Sequence, residues 1–206
     1  MEISLTSLRK YFAEFAGTFG LTIIVITSLL GRFDVSTAVL ASLFLGISVY
    51  VLGPVSGCHL NPAVTAGIFS LRKITLTDAL GYIIAQFLGA GCASIVIKTL
   101  YSLPNITVKA TGEELFAEFL GLLMFAFVIS AVVHKKVDSM TGGFVIGGAL
   151  LIGLSIAASL GAGAFLNPAV MLGLAVFSPS YLLIQVLGGI AGFQLFTALV
   201  EKGKNK

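Results

Sequence analysis

The chain has 206 residues, of which 57% are hydrophobic and 10% charged, and its mean hydropathy is +1.07. This composition excludes an ordinary soluble domain, in which about a quarter of the residues are charged, and indicates an integral membrane protein in a lipid bilayer. The net charge of +3 does not predict a nucleic-acid surface, and two Cys and two distant His predict neither a disulfide framework, a metal site nor a cofactor.

Six apolar segments along the chain are long enough to cross a bilayer as helices. The chain begins with a short polar stretch, and the pair Gly53-Pro54 is expected to close the second segment. A polar connection at 103–114 separates three segments from the next three. The predicted spans are 11–30, 36–52, 79–100, 115–133, 143–160 and 181–200.

Two shorter apolar runs, at 62–71 and 168–177, begin at the Pro of an Asn-Pro-Ala triplet. The Asn is placed as a helix N-cap, and the Pro at the first helical position has no N–H to leave unsatisfied. Ten residues at about 1.5 Å each reach only half of a hydrocarbon layer roughly 30 Å thick. We therefore predict two re-entrant half-helices, headed by Asn61, Pro62 and Ala63 and by Asn167, Pro168 and Ala169.

Three sequence echoes relate the two halves of the chain. They begin at Tyr11 and Leu115, at the two Asn-Pro-Ala triplets, and at Tyr82 and Tyr181, with offsets of 104, 106 and 99 residues. We predict one membrane domain built from repeat one, about 8–102, and repeat two, about 113–201. Three crossings per repeat invert the second copy, so the fold class is all-α, with six transmembrane helices and two facing half-helices.

The distribution of Lys and Arg predicts the orientation in the membrane. With a cytoplasmic N-terminus, nine of these residues lie inside and three lie outside. Both termini are therefore expected in the cytoplasm. The three residues outside are Arg32, Lys98 and Lys109.

Glu14 and Glu118 occupy matching places in the two halves, within apolar helices. Buried carboxylates need partners, so we expect each to accept hydrogen bonds from backbone N–H groups of one re-entrant turn. The alternative is that both lie near a helix end and face water. Broken helices leave backbone groups that lipid cannot satisfy, so the turns before Asn61 and Asn167 should either lie inside the protein or line a wet cavity, which would be a pathway.

Two Asn-Pro-Ala boxes, each followed by Val, the repeated Ala-Glu-Phe, and Ser-Gly-x-His-x-Asn-Pro-Ala-Val-Thr together resemble the major intrinsic protein family, the aquaporins and glycerol facilitators. The resemblance covers about residues 11–200. It implies six tilted helices and two half-helices around a narrow pore, and a homotetramer. It also implies passive passage of water or small uncharged solutes.

Physical chemistry supports the same transport function. Two helix N-termini that meet at the midplane bring roughly +0.5 charge each, which disfavours cations and hydronium. The amides of Asn61 and Asn167 would donate to the oxygen of a passing water molecule and turn its protons outward. Neutral solutes would therefore pass and protons would not.

The chain departs from the family at the second constriction, where the position that commonly holds Arg is Val170. Spacing from the motifs places the other filter positions at Ala41, Ser155 and Ala164, and all are small. This filter should be wider and uncharged, and the loss of Arg is shared with a branch associated with arsenic resistance. His59 is expected to face the cytoplasmic half of the pore or to make a structural hydrogen bond.

Two other classes of function stay open at this point. A secondary transporter also uses inverted repeats, but needs a coupling-ion site, and a closed structural membrane protein would pass no solute. An enzyme is not expected, because no nucleophile and base pair, metal cluster or phosphate loop is present. Asn105-Ile106-Thr107 matches a glycosylation acceptor, yet nothing else indicates a eukaryotic secretory route, so we expect the prokaryotic cell membrane.

Overall fold

The computed structural model describes residues 5–202, and within this range the regular secondary structure is entirely helical. Six of the eight helices are long and apolar enough to cross a membrane, which confirms the predicted fold class. The other two, α3 and α7, are short. The helices are α1 Leu5–Leu29, α2 Thr37–Ser56, α3 Pro62–Ser70, α4 Leu76–Lys98, α5 Gly112–Val133, α6 Ser139–Ser159, α7 Pro168–Gly173 and α8 Pro179–Lys202.

The end of α2 differs from the prediction, because the helix continues through Gly53-Pro54 to Ser56. Pro54 removes only one N–H from the ladder, and near a helix end its neighbours tolerate that loss. The helix stops instead at Gly57, whose φ of +89° is left-handed and whose N–H donates to the Gly53 carbonyl at 2.9 Å. Glycine adopts this conformation without a steric penalty, so Gly57 is the residue that ends α2.

The second half-helix is shorter than the predicted ten residues and ends at Gly173. Beyond it, Ala175 has a left-handed φ of +60°, and the Val176 N–H donates to the Met171 carbonyl at 3.1 Å. An alanine with left-handed backbone is uncommon, so no residue type at this position predicts that the helix ends here. The first half-helix, Pro62–Ser70, is one residue shorter than predicted.

The helices pack in the pattern that a duplicated three-span unit would produce. Helix α1 packs against α2 and α4, and α5 packs in the same way against α6 and α8. Each half-helix contacts the last helix of the opposite half, α3 with α8 and α7 with α4, while α2 meets α6 across the middle. This exchange of half-helices brings both Asn-Pro-Ala turns into the centre of the bundle, and the division into two repeats stays a prediction.

Small residues allow the spanning helices to approach closely. A Cβ added to Gly121 would lie 2.6 Å from the Gly153 carbonyl oxygen, and one added to Gly153 would lie 2.7 Å from that of Gly121. Between α2 and α6, a Cβ on Gly147 would lie 2.7 Å from the Ser42 carbonyl oxygen. Helices in lipid associate through such close packing, so a side chain at these positions would force them apart.

Candidate pore and its re-entrant turns

Both half-helices begin as predicted, with an extended Asn at the N-cap and Pro at the first helical position. The Asn61 side-chain oxygen accepts the Ala63 N–H at 2.9 Å. The Asn167 oxygen accepts the N–H groups of Ala169 at 3.0 Å and Val170 at 3.3 Å. Each Asn therefore satisfies helix donors that would otherwise have no partner.

The other end of each Asn amide ties the two turns together. Asn61 Nδ2 donates to the Leu166 carbonyl at 2.7 Å, and Asn167 Nδ2 donates to the Leu60 carbonyl at 2.8 Å. These bonds are reciprocal between turns more than a hundred residues apart. The N-termini of α3 and α7 consequently face each other in the interior of the protein.

Four non-glycine residues of the turns have left-handed backbone, a feature that could not be predicted from the sequence. Cys58 and Leu60 have φ of 54° and 48°, and Ala164 and Leu166, at matching places in the second half, have 53° and 49°. Each such residue costs on the order of 1 kcal/mol or more, so surrounding bonds must hold it. No residue type marks these positions, because glycine, the usual signal, is absent from them.

Glu14 is one source of those bonds, and it is completely buried. Its carboxylate accepts the N–H groups of His59 at 2.9 Å and Leu60 at 2.7 Å. It also accepts the Ser56 hydroxyl at 2.6 Å and the Gln86 amide at 2.8 Å. The carboxylate thus satisfies two successive backbone donors on the inner side of the first turn.

Glu118 occupies the equivalent place in the second half and is also completely buried. It accepts the N–H groups of Phe165 at 2.8 Å and Leu166 at 3.0 Å, and the Gln185 amide at 3.0 Å. Neither glutamate faces water, which was the alternative. Sequence reasoning missed Gln86 and Gln185, although both stand at matching positions in the third echo.

The two turns differ in the polarity of the side chains at two pairs of corresponding positions. In the first, His59 Nδ1 lies 3.1 Å from Thr65 Oγ1, which also accepts the Gln86 amide at 3.0 Å. In the second, the corresponding positions hold Phe165 and Met171. The first turn therefore has polar side chains at two positions where the second turn has apolar ones.

A cavity of about 440 Å³ runs along both turns. It brings together all four predicted filter positions with both Asn side chains and His59. His59 lines the cavity and also lies within hydrogen-bond distance of Thr65, and a position in the cytoplasmic half of a pore stays a prediction. The predicted lining residues that meet there are Ala41, His59, Asn61, Ser155, Ala164, Asn167 and Val170.

The lining of this cavity is largely apolar and, among the described residues, holds no acidic side chain, Lys or Arg. Ser155, the polar filter position, donates its hydroxyl to the Leu151 carbonyl at 2.7 Å. Within residues 5–202, no three His, Cys, Asp or Glu side chains are grouped to hold a metal ion.

Ile106 also lines the cavity, and sequence reasoning missed it. It lies in the polar connection between α4 and α5, which forms neither helix nor strand. The alternation of apolar and polar residues from Asn105 to Ala110 was the one available signal.

The comparisons with known proteins agree with this architecture. A family model described as "Major intrinsic protein" matches residues 2–114. The glycerol uptake facilitator protein-like 6 of Lactiplantibacillus plantarum is 36% identical over 186 residues, which cover 83% of this chain and 85% of that protein. Aquaporin NIP1-4 of Oryza sativa subsp. japonica is 32% identical over 212 residues, 93% of this chain and 76% of the relative.

Among solved structures, the X-ray structure of the aquaglyceroporin from Plasmodium falciparum superposes with a TM-score of 0.75. The match covers 95% of this chain and 96% of that one, at 22% sequence identity. At this identity the likeness concerns the fold, and it extends over both halves of the chain.

Proposed function

The chain belongs to the major intrinsic protein family, and we propose that the cavity along its two Asn-Pro-Ala turns is a pore that passes glycerol-sized neutral solutes as well as water. The protein is a multi-pass membrane protein and a passive channel for water and small uncharged solutes. The observation that carries the finer proposal is the lining: four filter positions of small or apolar residues, without a charge.

The proposed filter consists of Ala41, Ser155, Ala164 and Val170. The two Ala side chains end at Cβ, and Val170 has neither the length nor the charge of an Arg. Ser155 uses its hydroxyl proton on its own helix, so the filter offers few side-chain donors. A wide, apolar and uncharged filter should admit solutes whose carbon skeleton can lie against it.

Proton exclusion is proposed to rest on the facing half-helices. The N-termini of α3 and α7 each carry roughly +0.5 charge, and this repels hydronium without a fixed cation. Each Asn amide has two N–H donors, and one of them goes to the carbonyl of the opposite turn. The second N–H group of each Asn amide can donate to the oxygen of a passing solute.

The lining disfavours coupled transport. A secondary transporter needs a site for its coupling ion, and none of the described lining residues is charged. The two buried glutamates are engaged by the turns and do not line the cavity. Family membership likewise places the protein with channels, not enzymes.

We propose that the inner side of the membrane is the one that carries most Lys and Arg. Two contacts support this assignment: Lys10 lies 3.7 Å from Asp78, and the Arg32 guanidinium lies 4.3 Å from the Tyr101 ring centroid. The first contact joins the N-terminal part of α1 to the first turn of α4, and the second joins the α1–α2 connection to the α4–α5 connection on the opposite side. Residues 1–4 and 203–206, to which the cytoplasmic assignment of the termini also applies, lie outside the described residues.

A homotetramer in a prokaryotic cell membrane is proposed from the family resemblance.

A stopped-flow experiment on proteoliposomes tests the solute proposal. Vesicles with and without the protein are challenged with gradients of sucrose, glycerol, urea and arsenous acid. The expected result is accelerated water flux together with accelerated flux of glycerol. Water flux without acceleration of glycerol, urea or arsenous acid would contradict the proposed filter, and no acceleration of any flux would favour a closed structural protein.

A further inference from the structure

The connection between α4 and α5 contributes Ile106 to the cavity lining, beside residues at the ends of α1, α2 and α6, and this end of the cavity is here called the mouth. Its residues 102–110, here called the strap, form neither helix nor strand, and their burial alternates. Ile106 and Val108 are partly buried against the core, whereas Asn105, Thr107 and Lys109 are exposed. An extended segment with this alternation presents one apolar face inward and one polar face to water.

Contacts at both ends hold the strap in place. On one side, the Arg32 guanidinium lies over the ring of Tyr101, 4.3 Å from its centroid. On the other side, Glu114 Oε2 accepts the N–H groups of Lys109 at 3.1 Å and Ala110 at 2.9 Å. Two anchored ends leave the central residues little freedom to move away from the mouth.

The second anchor is itself connected to the cavity wall. Glu114 Oε2 also accepts the Tyr181 hydroxyl at 2.9 Å, and Tyr181 is completely buried. The Tyr181 ring contacts the ring of Phe165 edge-on, with centroids 5.9 Å apart, and Phe165 lines the cavity. The strap is therefore positioned relative to the second re-entrant turn through one glutamate and one tyrosine.

Of the described strap residues, Ile106 alone lines the cavity. The lining at this end comes from the last residues of α1 and α6 and the first residues of α2, Leu29, Ala158 and Thr37 among them. Two of the deeper filter positions, Ala41 and Ala164, carry only a methyl group. Beside such small neighbours, the branched side chain of Ile106 can restrict width where the Ala side chains cannot.

We propose that Ile106 is a further specificity-determining residue, which sets the width limit for neutral solutes at the mouth beneath the strap. This inference rests on the proposed function, because it assumes that solutes use this cavity. It assigns part of the selection to a residue outside the helices and re-entrant turns. An apolar wall discriminates among solutes through fit, at about tenfold or more for one carbon group.

The test measures the flux ratio of erythritol to glycerol in proteoliposomes for three variants. Ile106→Ala is expected to raise this ratio severalfold, and Ile106→Phe to lower the flux of both polyols. Val108→Ala is the matched control, because Val108 packs inward from the same strap but does not line the cavity. A parental flux ratio in Ile106→Ala together with parental fluxes in Ile106→Phe would overturn the proposal.

A second measurement tests the position of residue 106 through water flux alone. Ile106→Cys is treated with a bulky methanethiosulfonate reagent, and Asn105→Cys serves as the control on the exposed face of the strap. The expected result is a loss of water flux in Ile106→Cys only, while Asn105→Cys is labelled and conducts. If the parent passes water but no polyol, the proposed solute class fails. A loss of water flux on labelling Ile106→Cys would still support the position of residue 106 at the mouth. Labelled Ile106→Cys with unchanged water flux would contradict it.

Discussion

At the scale of single residues, the two buried glutamates hold backbone that would otherwise be strained. Glu14 accepts four hydrogen bonds and Glu118 accepts three, and in each case two come from consecutive backbone N–H groups of a turn. Those N–H groups adjoin left-handed residues whose conformation is unfavourable alone. We therefore propose that both carboxylates position the Asn side chains.

Glu14→Ala and Glu118→Ala should each lower stability, because a buried donor left without a partner costs roughly 1 to 3 kcal/mol. The loss should be larger for Glu14→Ala, since four donors lose their acceptor there and three lose it in Glu118→Ala. Thermal unfolding in detergent, followed by size-exclusion chromatography, measures the effect. Glu113→Ala, at an exposed position of α5, is the control. Parental unfolding temperatures and fluxes in both variants would exclude the anchoring role.

Asn61→Asp should allow cations to leak through the pore. The substitution keeps the size and capping oxygen of the side chain but puts a negative charge where the two positive helix ends meet. Cation conductance in planar bilayers should exceed that of the parent and of Asn61→Ala, which removes the amide without adding charge. Equal conductance in all three proteins would show that the half-helix dipoles do not govern exclusion.

At the scale of helices and turns, the two re-entrant segments are unequal. Helix α3 has nine residues and α7 has six. Ser56 donates to Glu14 in the first segment, whereas its counterpart in the second is Ala162. Thr65, which joins His59 and Gln86, likewise corresponds to an apolar Met171. The second segment is therefore held by fewer hydrogen bonds.

This inequality predicts faster local opening of the second segment. Amide hydrogen exchange in peptides covering residues 162–177 should exceed that in peptides covering 56–70, because exchange follows local unfolding. Ser56→Ala, which gives the first turn the residue type of the second, should reduce the difference. Equal protection of both segments in the parent protein would contradict the ranking.

The helices were predictable from the sequence where local chemistry decides the structure. Asn61-Pro62 and Asn167-Pro168 give the start of each half-helix, since capping and a fixed φ act locally. The end of α2 was predicted wrongly at Gly53-Pro54, because a Pro near a helix end removes only one N–H from the ladder and the helix continues to its cap at Gly57. The end of α7 could not be predicted, because Ala175 adopts left-handed backbone only within the folded protein.

The residues of the candidate pore were predictable from the sequence only where a motif or an unusual residue marks them. Motif spacing named seven residues that the structure places around one cavity, and duplicated glutamates pointed to the turns. Gln86, Gln185 and Ile106 were missed because their importance depends on long-range contacts. A carboxylate in an apolar helix stands out in a sequence, whereas a glutamine that donates to it does not.

At the scale of the whole molecule, the two halves pack into one channel, and the charge distribution is the basis of the orientation that we propose for it. An impermeant maleimide applied to intact cells should label Asn105→Cys and leave Lys136→Cys unlabelled until the cells are opened. Both positions are exposed, so access and not burial decides the result. Labelling in the reverse order would invert the assigned orientation.

The central claim is that an uncharged filter lets this channel pass glycerol-sized solutes, and the glycerol-to-water flux ratio of Val170→Arg tests it most directly. An Arg at this position would fill space, supply fixed donors and repel a cation 6 Å away by about 3 kcal/mol at an effective dielectric constant near 20. The same proteoliposomes report both fluxes, so water flux controls for folding and insertion. We predict that Val170→Arg lowers the ratio at least severalfold while water flux persists. A parental ratio in Val170→Arg, in vesicles that still conduct water, would contradict the proposed filter.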